Sequence, residues 1–206
     1  MGITYRNMGN YGEAMEVLLE SLDLYRNLND SINVVETLLA MGFVYMYVDR
    51  WDGALDAQEQ ALKIYRNRND SLGIARIYND MGALNMSAGN YQEALELHQA
   101  ALKIRINSNE FYYTFASYYY IATIYERFEQ FDEALDHYES ALQYAERTGS
   151  KISIIDAYNG IGDIHFKTGN YKQALEQYKK AEMLSREIKD GTGRAQAFMK
   201  IAKIYD

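Results

Sequence analysis

Three histidines, His98, His137 and His165, are the side chains best suited to move a proton or bind a metal near neutral pH. They stand far apart and lack a ligand spacing such as i, i+4. His98 and His165 fall at positions that recur along the chain and are filled elsewhere by residues such as Tyr or Leu, which favours packing over chemistry. Acidic residues number 29 but follow helix faces. Glu59 with Lys63 and Glu176 with Lys180 read as i, i+4 pairs, each contributing ~0.2–0.5 kcal/mol on an exposed helix. An acid–base dyad needs enclosure, and nothing in the sequence signals it. The glycines of Gly9-Asn10, Gly89-Asn90 and Gly169-Asn170 sit outside any phosphate-loop spacing. With no Cys, thiol nucleophiles and thiolate zinc sites are excluded. No catalytic residue, metal ligand or cofactor is expected, and the chain is read as non-enzymatic.

What organises the chain is a repeat of forty residues without insertion or deletion. Tyr11, Trp51, Tyr91, Phe131 and Tyr171 each precede by three residues Ala14, Ala54, Ala94, Ala134 and Ala174. A second small slot holds Ser21, Ala61, Ala101, Ala141 and Ala181, with Leu18, Gln58, His98, Tyr138 and Tyr178 between the two. This is one helix, B, expected at about 11–28, 51–68, 91–108, 131–148 and 171–188. Another helix, A, carries Gly2, Gly42, Gly82, Ala122, Gly162 and Ala202 at its centre. It is expected at about 31–48, 71–88, 111–128, 151–168 and 192–205, after a half helix in residues 1–8. Small residues let two helices approach closely, and the large ones beside them fill the flanking space. Gly89 suits a left-handed helix end, Asn90 and Glu93 a capping box on the next helix, and Asp30, Asp70 and Ser150 suit N-caps of A helices.

Composition agrees. The 206 residues are 48% hydrophobic and contain no Pro, as long helices joined by short turns require. A net charge of −8 argues against a nucleic-acid surface. No apolar run is long enough to span a bilayer, and the first residues lack a signal-peptide layout. A cytoplasmic location is expected.

These residues resemble the tetratricopeptide repeat family. Met81-Gly82, Ile161-Gly162-Asp163-Ile164-His165 and the Ala94/His98/Ala101 set occupy the family's places. Two departures stand out: the unit is longer than the usual ~34 residues, and Arg26, Arg66, Ile106, Glu146 and Arg186 replace the customary Pro. The forty-residue form is similar to repeats of cell-polarity adaptors, of bacterial peptide-sensing regulators and of sensor regions attached to cyclase, kinase or DNA-binding domains. The resemblance implies an all-α fold, a right-handed α-solenoid of stacked antiparallel helix pairs, running as one array over residues 1–206. Its units are about 1–30, 31–70, 71–110, 111–150 and 151–190, with a partial unit 191–206. Phe198, Ile201, Ala202 and Tyr205 lack a following B helix, so the chain is read as a segment of a longer protein or one that self-associates through uncapped ends.

Carried over position by position, the resemblance places a groove on the A helices. It comprises Leu39, Phe43 and Met46, then Asn79, Ala83 and Met86, then Tyr119, Thr123 and Glu126, then Asn159, Asp163 and Phe166, ending at Met199 and Lys203. Asn79 and Asn159 are expected to hold a partner's backbone. One segment, Phe111 to Tyr120, breaks the repeat with excess rings. Tyr112, Tyr119 and Tyr120 are either binding anchors or fillers of a local gap, and the sequence favours neither. The expected function is a protein–protein interaction scaffold that binds a protein, a peptide or a partner helix, with no nucleic acid and no membrane insertion. The alternative is a sensor segment of a bacterial signalling protein.

Overall fold

In a computed structural model the protein is described over residues 10–111 and 113–205. The expected half helix containing Gly2 and Tyr5, the candidate anchor Tyr112, and Asp206 lie outside the described residues. Among those described there are ten helices and no strand. They are α1 (Tyr11–Asn27), α2 (Ser31–Tyr47), α3 (Trp51–Asn67), α4 (Ser71–Ala88) and α5 (Tyr91–Asn107). Then follow α6 (Thr114–Arg127), α7 (Phe131–Thr148), α8 (Lys151–Lys167), α9 (Tyr171–Glu187) and α10 (Gly191–Tyr205). Odd-numbered helices are B, even-numbered ones A. None is long and apolar enough to cross a membrane.

Each turn is two or three residues long except the one before α6, and each contains a left-handed residue. Gly89, Gly149 and Gly169 take φ of 86°, 69° and 77°. Asn29, Asp49, Asn69, Asn109, Glu129 and Lys189 take φ between 51° and 59° although they carry a Cβ. The A helices are capped as expected: Asp30, Asp70, Ser150 and Asp190 accept from the backbone N–H of Asn33, Gly73, Ser153 and Gly193. Two of the B helices that follow an Asn lack a side-chain cap. Asn10 and Asn170 make no side-chain cap. Asn170 Nδ2 donates backward to Thr168 Oγ1 at 3.0 Å, and Asn90 Nδ2 to Asn85 Oδ1 at 3.2 Å. The preceding turn thus holds these amides.

Helix α6 begins three residues later than its repeat predicts. Glu110 stands where Asp or Ser caps the other A helices, and its longer side chain accepts from Tyr113 N at 3.0 Å. Arg105, buried, donates to Tyr113 O at 2.6 Å and Ser117 Oγ at 2.9 Å. That carbonyl is then a weak helical acceptor, and Ser117 N lies 3.5 Å away.

The chain divides into two compact units, Met1–Leu97 and His98–Asp206. In the first, α1 packs on α2, α2 on α3 and α3 on α4. Its core gathers Ala14, Leu18, Leu22, Val35, Leu38, Val44, Ala61 and Ile77. Burying each large aliphatic there contributes about 1.5–3 kcal/mol. Arg76 of α4 reaches Glu36 of α2, one repeat earlier, at 2.6 Å. In the second unit successive helices pack likewise from α6 onward, and α8 also touches the A helices α6 and α10. Ala122, Ala134, Tyr138, Ile161 and Ile164 form a core cluster. Ala14, Ala54, Ala94, Ala134 and Ala174 are all fully buried, so helix backbones meet where the sequence places its smallest side chains.

Candidate interaction surface

In the first unit, Leu39, Phe43 and Met46 lie four and three residues apart on α2 and share one face. Opposite them α4 presents Asp80, Ala83 and Leu84, and Gln58 rises between the two from α3. Together they line a cleft of about 70 Å³, room for a side-chain tip or a water or two but not for a ring. Phe43 is 48% exposed at the rim, while Leu39 and Leu84 are buried. Gln58 is only 6% exposed, and its Oε1 has no hydrogen-bond partner. Of the residues expected here, Leu39, Phe43, Met46 and Ala83 meet. Asn79 is buried at 8% exposure, and neither it nor Met86 lines the cleft.

In the second unit two tyrosines thread inward from B helices to the A-helix face. Tyr138 of α7 donates to Glu126 Oε2 at 2.8 Å, and its hydroxyl lies 3.2 Å from Thr123 Oγ1. Lys167 of α8 also reaches Glu126, at 2.9 Å. Tyr178 of α9 donates to Asp163 Oδ1 at 2.7 Å, and Lys200 of α10 pairs with the same carboxylate. Burial, followed by neighbouring Glu126, holds the Tyr138 phenol far above its ordinary range, and burial followed by Asp163 does so for Tyr178. Neither ionises near neutral pH.

Tyr119 stands edge-on to Tyr138 with centroids 5.4 Å apart. Burial, then Asp156, Asp163 and Glu126, push its phenol up to about 12. Tyr120 turns to stack on His98 at 4.8 Å. His98 is fully buried, and burial, then Arg105, pull its imidazole down to about 4. Tyr118 stacks on Tyr144 at 5.4 Å. These rings therefore do pack one another, and Tyr119 is half-buried at the A-helix face. Phe166 lies against Tyr171 at 5.5 Å. Asn159 keeps a buried Oδ1 without a partner. Among the described residues no group of three or more His, Cys, Asp or Glu is placed to hold a metal ion.

Sequence reasoning missed Gln58, Asp80, Tyr138, Tyr178 and Lys200. Three of them belong to B helices, which the resemblance keeps behind the groove. The available signal was the slot Leu18, Gln58, His98, Tyr138, Tyr178, whose changing size is answered two helical turns into the next A helix by Ala40, Asp80, Tyr120, Gly160 and Lys200.

The sequence pattern of the tetratricopeptide repeat matches four overlapping windows, residues 1–67, 33–107, 73–147 and 113–187. The chain belongs to the tetratricopeptide repeat family. Tetratricopeptide repeats generally mediate protein–protein interaction, and the repeat fold is a non-catalytic scaffold. BtubC (BKLC) from P. vanneervenii is similar in structure, with a TM-score of 0.87 at 18% identity over 95% of this chain and 83% of that one. A Signal Transduction ATPase with Numerous Domains protein with a tetratricopeptide repeat sensor, from Pyrococcus horikoshii, gives 0.84 at 18% identity. That match covers 99% of this chain and 31% of that one. The apo form of RapI gives 0.81 at 18% identity over 97% and 78% of the two chains. At such identity these likenesses establish the tetratricopeptide α-solenoid fold alone. A comparison with curated protein sequences gives no match.

Proposed function

We propose that this tetratricopeptide chain is a non-enzymatic interaction module that takes an extended peptide or a partner helix along its A-helix faces. The observation that supports this most is the cleft between α2 and α4, whose rim residue Phe43 holds nearly half its surface in water. A large apolar side chain beside a concavity is the usual anchor of an interface. Asn159 adds an acceptor for a backbone N–H, since its Oδ1 is otherwise unused. In the second unit, Tyr119 and Thr123 on α6 with Asp163 and Phe166 on α8 make up the corresponding proposed face. Tyr120 contributes by holding α6 in place through His98.

The test is selection of random linear peptides against the whole chain, followed by affinity measurement on variants. Phe43→Ala should weaken the selected peptides by tenfold or more, about 1.4 kcal/mol, with helicity unchanged because the ring packs only in part. Equal affinity for Phe43→Ala and for Asn159→Ala would remove both residues from the surface.

A second reading is a sensor segment, supported by likeness to the repeat sensor of the Pyrococcus horikoshii protein. A cyclase, kinase or DNA-binding domain encoded in the same reading frame would favour it.

A further inference from the structure

We propose that the α2–α4 cleft is a subsite for a cationic side chain, lysine first, of the bound segment. This rests on the peptide-binding reading above. The decisive residue is Gln58. The same slot holds different chemistry elsewhere: the Tyr138 and Tyr178 hydroxyls donate to Glu126 and Asp163, the His98 ring stacks on Tyr120, and Leu18 has no polar atom. Gln58 alone in the slot carries an amide; it lines the cleft, and its buried Oε1 is without a partner, the residue being 6% exposed. A buried acceptor left unmade is costly, and one that persists calls for a donor from outside the chain.

What kind of donor follows from the walls. Asp80 places a carboxylate in the lining, so a cation is drawn in and an anion repelled. Leu39, Phe43 and Met46 offer apolar surface to a methylene stem, which a lysine buries while its head stays hydrogen-bonded. The rim ring of Phe43 can also face the ammonium. A space of about 70 Å³ admits a tetrahedral ammonium and excludes an aromatic ring. The chain's net charge of −8 steers a basic segment toward it.

The experiment uses random linear peptides selected against the whole chain. Selected sequences should share one position enriched in lysine over methionine and leucine. In the strongest peptide, replacing that lysine by norleucine should weaken binding about tenfold, the scale of a charge-assisted hydrogen bond. Gln58→Leu should erase the lysine-over-norleucine ratio while raising the melting temperature, which separates loss of the subsite from loss of the fold. Asp80→Asn should lower the ratio and flatten its salt dependence. Peptides that lose binding in Phe43→Ala but show no basic preference would overturn the subsite and leave the peptide-binding reading standing. So would an unchanged ratio in Gln58→Leu. Failure to select any peptide would overturn both.

Discussion

The ring of Tyr138 lies directly over Gly160: a Cβ built on that glycine would stand 2.6 Å from the tyrosine's Cε1. The missing side chain on α8 is what lets the phenol cross from α7 to Glu126 and Thr123. Two residues on along α8, Gly162 does the same for Tyr178 of α9, at 2.5 Å.

Gly160→Ala should therefore lose stability by ~1–3 kcal/mol, the cost of overpacking a close-packed site. Gly12→Ala, on α1 where a Cβ meets nothing within 4 Å, should instead gain ~0.4–1 kcal/mol. Urea titrations of both, with Tyr138→Leu added to Gly160→Ala, check the pairing. Strict additivity of the double variant would show that the two residues do not confine each other.

His98 should make stability sensitive to acid. Its imidazole binds a proton less readily folded, at about 4, than at the ordinary 6.5. The unfolded chain thus takes up more protons between those values, and stability falls as pH drops from 6.5 toward 4, by an amount on the order of 3 kcal/mol. Asp156 works the other way, because burial and Asp190 raise its carboxyl above the usual range. The measurement is the difference between wild type and His98→Phe in urea midpoints at pH 7 and pH 4.5. Parallel losses in the two proteins would assign the acid sensitivity to other groups.

The turn residue Glu129 holds φ of 59° with a side chain that disfavours it. Glu129→Gly is expected to raise stability by ~0.5–1 kcal/mol, the relief of left-handed strain less the entropy of glycine. Gly89→Ala, at φ of 86°, should lower it by a similar amount. Thermal melts of the two variants moving in the same direction would contradict this account of the turns.

Gln58→Leu is expected to stabilise the free protein by about 1 kcal/mol, since it removes a buried acceptor that nothing satisfies. Denaturant unfolding without any peptide present measures it. A less stable variant would mean that the amide is already well bonded in the free chain.

What the amino-acid order alone determined is the brick and its stacking. Alanines forty residues apart can sit at zero exposure only if helices meet there, and Asp30, Asp70 and Ser150 could cap only the helices that follow them. Both are local or periodic facts, written in residue types. Aromatic residues 118–120 marked themselves as unusual, but their partners could not be read, because Tyr120 answers His98 and Tyr119 answers Tyr138 across helices fifteen or more residues away. The same limit hid the start of α6, where Arg105 takes the Tyr113 carbonyl. It hid the cleft as well. Whether Gln58 points to water, to a neighbour or into an opening depends on the size of residues on the two flanking helices, α2 and α4, and only packing in three dimensions fixes that.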